Sequence, residues 1–268
     1  MMPKRILFTG AAGRVGQLLR PLLRARYAVR LCDLNDVGPL EPGEEFLQGN
    51  LADPAFARQA VAGTTGVIHL AGLVSPSVSF EDTLDPNYRA VLSLLEACRE
   101  LGVTRFVFAS SHHIVGLHRP GPLTEQATVL PDGFYGLSKA FGEAACALYA
   151  QRFGISSLVI RIGNADPQMS DGRRERMWIS GRDLTQLIGI GLEHEPLGFE
   201  IVYGVSQCPD AIFPNEVASR LGYRPEDRAA DHHAPNFRPM SALTPADGSD
   251  RVGGFFAVKE LPPPDIRT

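Results

Sequence analysis

The stretch Ile6-Leu7-Phe8-Thr9-Gly10-Ala11-Ala12-Gly13-Arg14-Val15-Gly16 decides the fold class of this chain. Ile6 to Thr9 is a short apolar run suited to a buried strand. Val15–Arg26 then carries apolar residues at three-and-four spacing, the pattern of a helix with one covered face. Glycines at such a junction permit a tight turn and let backbone N–H groups approach a pyrophosphate at the positive end of the helix. A glycine triplet alone is a weak signal, because a plain strand-to-helix turn reads the same way. Asp33 strengthens it: it ends the next apolar run, Val29–Asp33, 23 residues after Gly10. An acid there accepts hydrogen bonds from the adenosine ribose and repels a 2′-phosphate, so the predicted cofactor is NAD. Arg14 and Arg30 are the cations that argue for NADP.

Outward from this unit the alternation continues. Val67–Leu70, Phe106–Ser110 and Leu158–Ile162 read as further strands, and Pro54–Ala62, Asn87–Leu101 and Tyr135–Phe153 as helices between them. Apolar strands separated by helices predict a parallel sheet covered on both faces, the doubly wound α/β (Rossmann-type) class, with its ligand at the carboxyl ends of the strands. After Gly163 the rhythm changes. Asn164–Arg176 reads as a polar loop, a helix is expected from Ser180 to about His194, and Ile201–Val205 looks like one more strand. Three portions follow: a mainly dinucleotide-binding core over 1–163, a small substrate-binding portion over 164–225, and an extended arm over 226–268. The arm is rich in proline and without a sustained period, suited to wrapping the surface or binding another subunit.

A chain of 268 residues can bury a sizeable core without metal or disulfide, and its net charge of −4 gives no basic excess for nucleic acid or an anionic membrane. Cys32, Cys98, Cys146 and Cys208 lie far apart and form neither a CxxC pair nor a zinc spacing. His69, His118, His194, His232 and His233 likewise form no ligand set, so no metal is expected. Without a signal-peptide h-region or a run of 18 apolar residues, the protein is expected to be cytoplasmic.

Tyr135-Gly136-Leu137-Ser138-Lys139 places a phenol and an ammonium four residues apart at the start of a helix, hence on one face. A phenol with a pKa near 10 is a poor base at neutral pH, but a close cation favours phenolate. Such a tyrosine can take the proton of a substrate hydroxyl while hydride leaves the same carbon.

This combination resembles the extended short-chain dehydrogenase/reductase superfamily over residues 4 to about 225. The matching stretches are Thr9–Gly16, His69-Leu70-Ala71-Gly72, Asn87, Phe108-Ala109-Ser110-Ser111 and Tyr135–Lys139. The resemblance implies Ser111, Tyr135 and Lys139 as catalytic residues, with Ser111 holding the reacting oxygen. It also implies a cofactor site of Gly10, Ala12, Gly13, Arg14, Val15, Gly16, Asp33, Asn50, Leu51, Leu70, Ala71, Gly72, Asn87, Tyr135, Lys139 and Ile162. Within the superfamily, Ser110-Ser111-His112-His113, Arg161-Ile162-Gly163-Asn164 and the segment around Trp178 look like uronate dehydrogenases, which oxidise the anomeric carbon of galacturonate or glucuronate with NAD. Their substrate contacts fall on Ser75, Ser111, His112, His113, Tyr135, Asn164 and Arg173, with Arg173 gripping the sugar carboxylate. Three positions depart from that pattern. His112 stands where Asn is usual, Asn164 where Ser is usual, and Asn50 precedes Leu51 where Asp is usual.

A small free sugar acid is therefore the expected partner. An epimerase, dehydratase or reductase acting on a nucleotide-linked sugar or another small carbonyl compound stays open, as does a non-catalytic dinucleotide sensor. The resemblance further implies a homodimer or higher homo-oligomer paired through Asn87–Leu101 and Tyr135–Phe153, with Phe141, Ala145 and Leu148 as an apolar stripe.

Overall fold

The apolar runs become neighbours in one sheet. A computed structural model describes residues 4–264, with elements in the order β1 (Arg5–Thr9), α1 (Arg14–Arg24), β2 (Ala28–Asp33), β3 (Glu44–Gln48), α2 (Pro54–Val61), β4 (Gly66–His69), α3 (Phe80–Thr83), α4 (Ala90–Leu101), β5 (Arg105–Ser111), α5 (Phe134–Phe153), β6 (Ser156–Ile162), β7 (Met169–Asp171), α6 (Gly172–Glu175), α7 (Gly181–Glu193), β8 (Phe199–Gly204), α8 (Glu216–Arg220), β9 (His233–Arg238) and α9 (Phe255–Val258). Seven strands form a parallel sheet in the order β3-β2-β1-β4-β5-β6-β8. Side chains alternate across it. Ile6 and Phe8 pack with Leu19 and Leu23 of α1 and Leu187 and Ile188 of α7, whereas Leu7 and Val67 pack with Ala57 of α2 and Leu94 and Leu95 of α4. Two cores on opposite faces are what the doubly wound class requires.

β3 was not visible as an apolar run, because Glu44-Glu45-Phe46-Leu47-Gln48 is an edge strand. Its carboxylates fasten it: Arg20 Nη2 donates to Glu44 at 2.6 Å and Arg30 Nε to Glu45 at 2.6 Å. Regular α-helix in α4 begins at Ala90 rather than Asn87, after a wide π-type turn over Leu84–Arg89 that contains Pro86. The segment 164–176, expected as a loop, holds β7 and the one-turn α6, whose start is capped by Asp171 accepting from Arg174 N at 2.9 Å. β7 pairs in parallel with β9 from the C-terminal arm. No helix among the described residues is long and apolar enough to cross a membrane.

Strand order reverses beside β1, which lies between β2 and β4. At the carboxyl ends of β1, β4, β5 and β6 the chain leaves a cleft of about 450 Å³.

Candidate active site

The glycine turn has the stereochemistry of a dinucleotide cradle. Gly10 has φ +74°, and a Cβ on it would lie 2.6 Å from Ala71 N, so only glycine lets β1 and β4 approach there. A Cβ on Gly16 would lie 2.2 Å from Gly10 O, which fixes the close seat of α1 on the turn. Gly13 is different: its φ is −70°, and a Cβ would meet only Gly10 O at 3.2 Å. Protein packing does not demand glycine there. The bare position lines the cleft at the start of α1, where no side chain caps the helix amides. A pyrophosphate fits that surface. Asp33 stands beside it, accepting from Ala12 N at 3.0 Å and from Asn35 N at 3.0 Å.

Ser111 ends β5, and Tyr135 and Lys139 project from the first turns of α5, so all three line the cleft. A Cβ on Gly72 would lie 3.4 Å from Lys139 Nζ and 3.3 Å from Asn87 Oδ1, which brackets the ammonium beneath the β4 turn. Asn87 is held by donating to Leu73 O at 3.0 Å and Ser138 Oγ at 2.8 Å, and it accepts from Leu73 N at 2.7 Å. Burial pushes the Tyr135 phenol up to about 12, with contact to Ser111 working the other way. Burial also brings the Lys139 ammonium down to about 8. The lowering of the Tyr135 pKa expected from Lys139 is therefore not seen: Nζ sits 5.8 Å from the Tyr135 ring centre and desolvation outweighs it.

The far wall is built from His112, His113 and Arg173. His112 and His113 lie with ring centres 4.1 Å apart, and Phe256 stacks on the other side of His113 at 4.1 Å. His112 Nδ1 donates to Ile162 O at 3.1 Å, while its Nε2 is buried without a partner among the described residues. His113 Nδ1 meets Asp132 Oδ2 at 2.6 Å. Arg173 is 8% exposed, and its Nη1 donates to Val252 O at 2.7 Å. Among the described residues no carboxylate forms a salt bridge with it, and burial pushes its guanidinium down to about 10. Asn164 and Asp166 close the side nearest α1, where Arg14 Nη1 donates to Asp166 at 2.7 Å.

Most residues expected at the site converge. Gly10, Gly13, Arg14, Val15, Gly16, Leu70, Gly72, Ser111, His112, His113, Tyr135, Lys139, Ile162, Asn164 and Arg173 all line the one cleft. Ala12, Asp33, Ala71 and Asn87 are not among its lining residues, but Asp33 accepts from Ala12 N, and Ala71 and Asn87 pack against the lining Gly10 and Gly72. Ser75 is not brought in: its hydroxyl turns back to accept from Ser77 N at 3.1 Å. Asn50 caps its own turn, accepting from Ala52 N at 2.9 Å, and Leu51 is buried in the core beside α2. Asp132, Gly253 and Phe256 are the residues the sequence did not point to. Asp132 lies in an irregular loop and the other two come from the arm, so no periodicity marks any of them. A more open groove of about 520 Å³, lined by Pro122, Arg176 and Asp210, holds none of these groups.

The model of the NAD dependent epimerase/dehydratase family matches residues 6–177. The chain belongs to that family. Among its relatives, the uronate dehydrogenase of Pseudomonas putida is 39% identical over 95% of this chain and 96% of its own. The glucuronic acid dehydrogenase of Chromohalobacter salexigens superposes with a TM-score of 0.88 at 33% identity, covering 97% of this chain and 98% of the other. A mutant uronate dehydrogenase from Agrobacterium tumefaciens, complexed with NAD, gives 0.87 at 33% identity over 96% of this chain and 98% of that one. The matched residues include the glycine turn and the Tyr135–Lys139 pair. The match ends at Met177, so the part of the cleft wall supplied by Gly253 and Phe256 lies in chain outside the family model.

Proposed function

We propose that the protein oxidises the anomeric carbon of a free hexuronate, galacturonate or glucuronate, with NAD, giving the aldarolactone. Arg173 carries this reading. A buried guanidinium without a counter-ion is unfavourable by several kcal/mol unless an anion completes it, and this one faces the cleft. A sugar carboxylate supplies that anion through two charge-assisted hydrogen bonds. Full-length likeness to uronate and glucuronic acid dehydrogenases supports the same substrate class.

Bound NAD supplies the hydride acceptor and a positive ring that favours phenolate at Tyr135. Ser111 holds the C1 oxygen, and Tyr135 Oη takes the proton of the C1 hydroxyl as the C1–H bond gives up its electron pair. The substrate loses one hydride, which carries both electrons to the cofactor, and one proton to Tyr135, and the C1 oxygen becomes the lactone carbonyl. Lys139, charged at neutral pH, lies with Nζ 5.8 Å from the centre of the phenol ring and would hold the nicotinamide ribose. Asp33 selects NAD by repelling a 2′-phosphate.

In this reading residues 1–163 hold the dinucleotide, 164–225 supply Asn164 and Arg173, and the arm closes the sugar side. Three buried thiols and the half-buried Cys208, all unpaired, suit a reducing cytoplasm. A two-fold pairing of α4 and α5 is proposed for assembly. Leu92, Leu137, Leu148 and Phe153 are the exposed large apolar groups of these helices; Ala145 is buried in the protomer's own core, and Phe141 packs against it. Sedimentation showing only a 29 kDa species at micromolar concentration refutes the pairing. The decisive assay for the activity follows NAD reduction with free uronates, neutral aldoses and UDP-sugars. Turnover confined to uronates is expected, and turnover of UDP-sugars alone overturns the proposal.

A further inference from the structure

Asp132 spends its carboxylate in an unusual way. Its backbone N donates to His113 O at 3.2 Å, and its side chain sits where a Cβ on Gly116 or Gly253 would come within 2.0 or 1.8 Å of Oδ2. Two segments of chain, at Gly116 and Gly253, therefore press closely on one carboxyl group. Oδ2 meets His113 Nδ1, while Oδ1 is buried with no partner among the described residues. A carboxylate kept for structure would be satisfied at both oxygens. This one has a single side-chain partner, and that partner lines the sugar side of the cleft.

We propose that Asp132 is a positioning residue for the sugar: it holds the His113 proton on Nδ1, so that Nε2 is offered as a hydrogen-bond acceptor to a hydroxyl of the substrate. The inference rests on the sugar-oxidising reading above and adds the chemistry of the recognised group. A carboxylate can only accept, so the Nδ1 bound to it must donate, and a neutral imidazole then has a bare Nε2. The neighbouring His112 is set the same way by the Ile162 carbonyl. Two adjacent imidazoles, tilted by 35° with ring centres 4.1 Å apart, thus each carry a bare Nε2 acceptor, which matches a hydroxyl donor on a sugar ring and no carbonyl or ether. Burial, and with it the charge of nearby Arg173, disfavours a charge on either ring.

The arrangement is pH-dependent with a definite sign. The groups that face Asp132 are His112, His113, Tyr135 and Arg173, and burial pushes its carboxyl up to about 7. Above that pH the carboxylate accepts from Nδ1. Below it the carboxyl O–H donates to Nδ1, the ring proton moves to Nε2, and the acceptor becomes a donor.

The test uses Asp132→Asn, which keeps the shape, alone and combined with His113→Gln. In the otherwise native protein, Asp132→Asn is expected to raise KM for the uronate by about ten- to a hundredfold, with NAD affinity and melting temperature nearly unchanged. In the His113→Gln background it should add less than twofold, because it acts through that ring. The wild-type KM should rise as pH falls through about 7, and the rise should vanish in Asp132→Asn. Independently of any turnover, imidazole ¹⁵N shifts at pH 8, assigned by their loss in His113→Gln, should place the His113 proton on Nδ1. A proton on Nε2, an unchanged KM in Asp132→Asn, or equal effects in both backgrounds overturns the proposal. A correct tautomer in a protein that oxidises no sugar refutes the substrate reading instead, and with it the role given to Nε2.

Discussion

Replacing Arg173 with methionine separates a substrate-binding guanidinium from a structural one. The side chain is 8% exposed, touches no carboxylate among the described residues, and donates to Val252 O at 2.7 Å. Two charge-assisted hydrogen bonds to a sugar carboxylate are worth on the order of 2–4 kcal/mol, roughly thirty- to a thousandfold in kcat/KM. A carboxylate gripped equally in ground and transition states is uniform binding, so the loss should appear in KM with kcat nearly intact. The fold should not suffer. Burial has already moved the guanidinium down to about 10, which corresponds to about 3 kcal/mol of unfavourable desolvation that methionine relieves. Against this stands the lost hydrogen bond to Val252 O, about 1–3 kcal/mol. Steady-state NAD reduction with a uronate and the matching neutral hexose, together with a urea melt, reads both quantities. Charged and neutral sugars affected alike would place the carboxylate site elsewhere. A variant destabilised by more than about 3 kcal/mol would make Arg173 a structural residue.

Tyr135→Phe should abolish turnover while NAD titration gives nearly the wild-type affinity, since the ring remains and the proton acceptor does not. Asp33→Ala should weaken NAD binding and narrow its advantage over NADP; wild-type protein that already prefers NADP contradicts the assignment. His69, buried beside Thr9 Oγ1 at 2.8 Å, is pushed down to about 3 by burial. The unfolded chain therefore takes up a proton below about pH 6.5 that the folded chain refuses, and stability falls as pH drops. Urea unfolding should show wild type losing about 2 kcal/mol more than His69→Gln between pH 7 and 5.

The sheet's interior strands were legible because each is apolar on both faces, and the helices because their covered faces repeat at three and four. β3 was hidden because an edge strand fastened by Glu44 and Glu45 shows no apolar run. The catalytic end of the cleft was legible for a local reason: the glycine turn and Ser111 lie at strand ends, and the Tyr135–Lys139 pair lies within the first two turns of one helix. Arg173 was legible only through the resemblance. The polar run Arg173-Arg174-Glu175-Arg176 gives no hint that one of its arginines is buried and the next two are not. Asp132 and Phe256 depend on segments meeting across long stretches of chain, a fact of tertiary packing that no local pattern encodes.

The arm has a consequence for the order in which the molecule becomes competent. Val252, Gly253 and Phe256 are translated after all seven strands of the main sheet, yet they hold Arg173, wall in Asp132 and cover His113. During synthesis the nucleotide half can close on its ligand while the sugar half still lacks a wall. A protease nick ahead of Val252 would recreate that early stage in the mature protein: a dinucleotide binder, blind to the sugar it was built to oxidise.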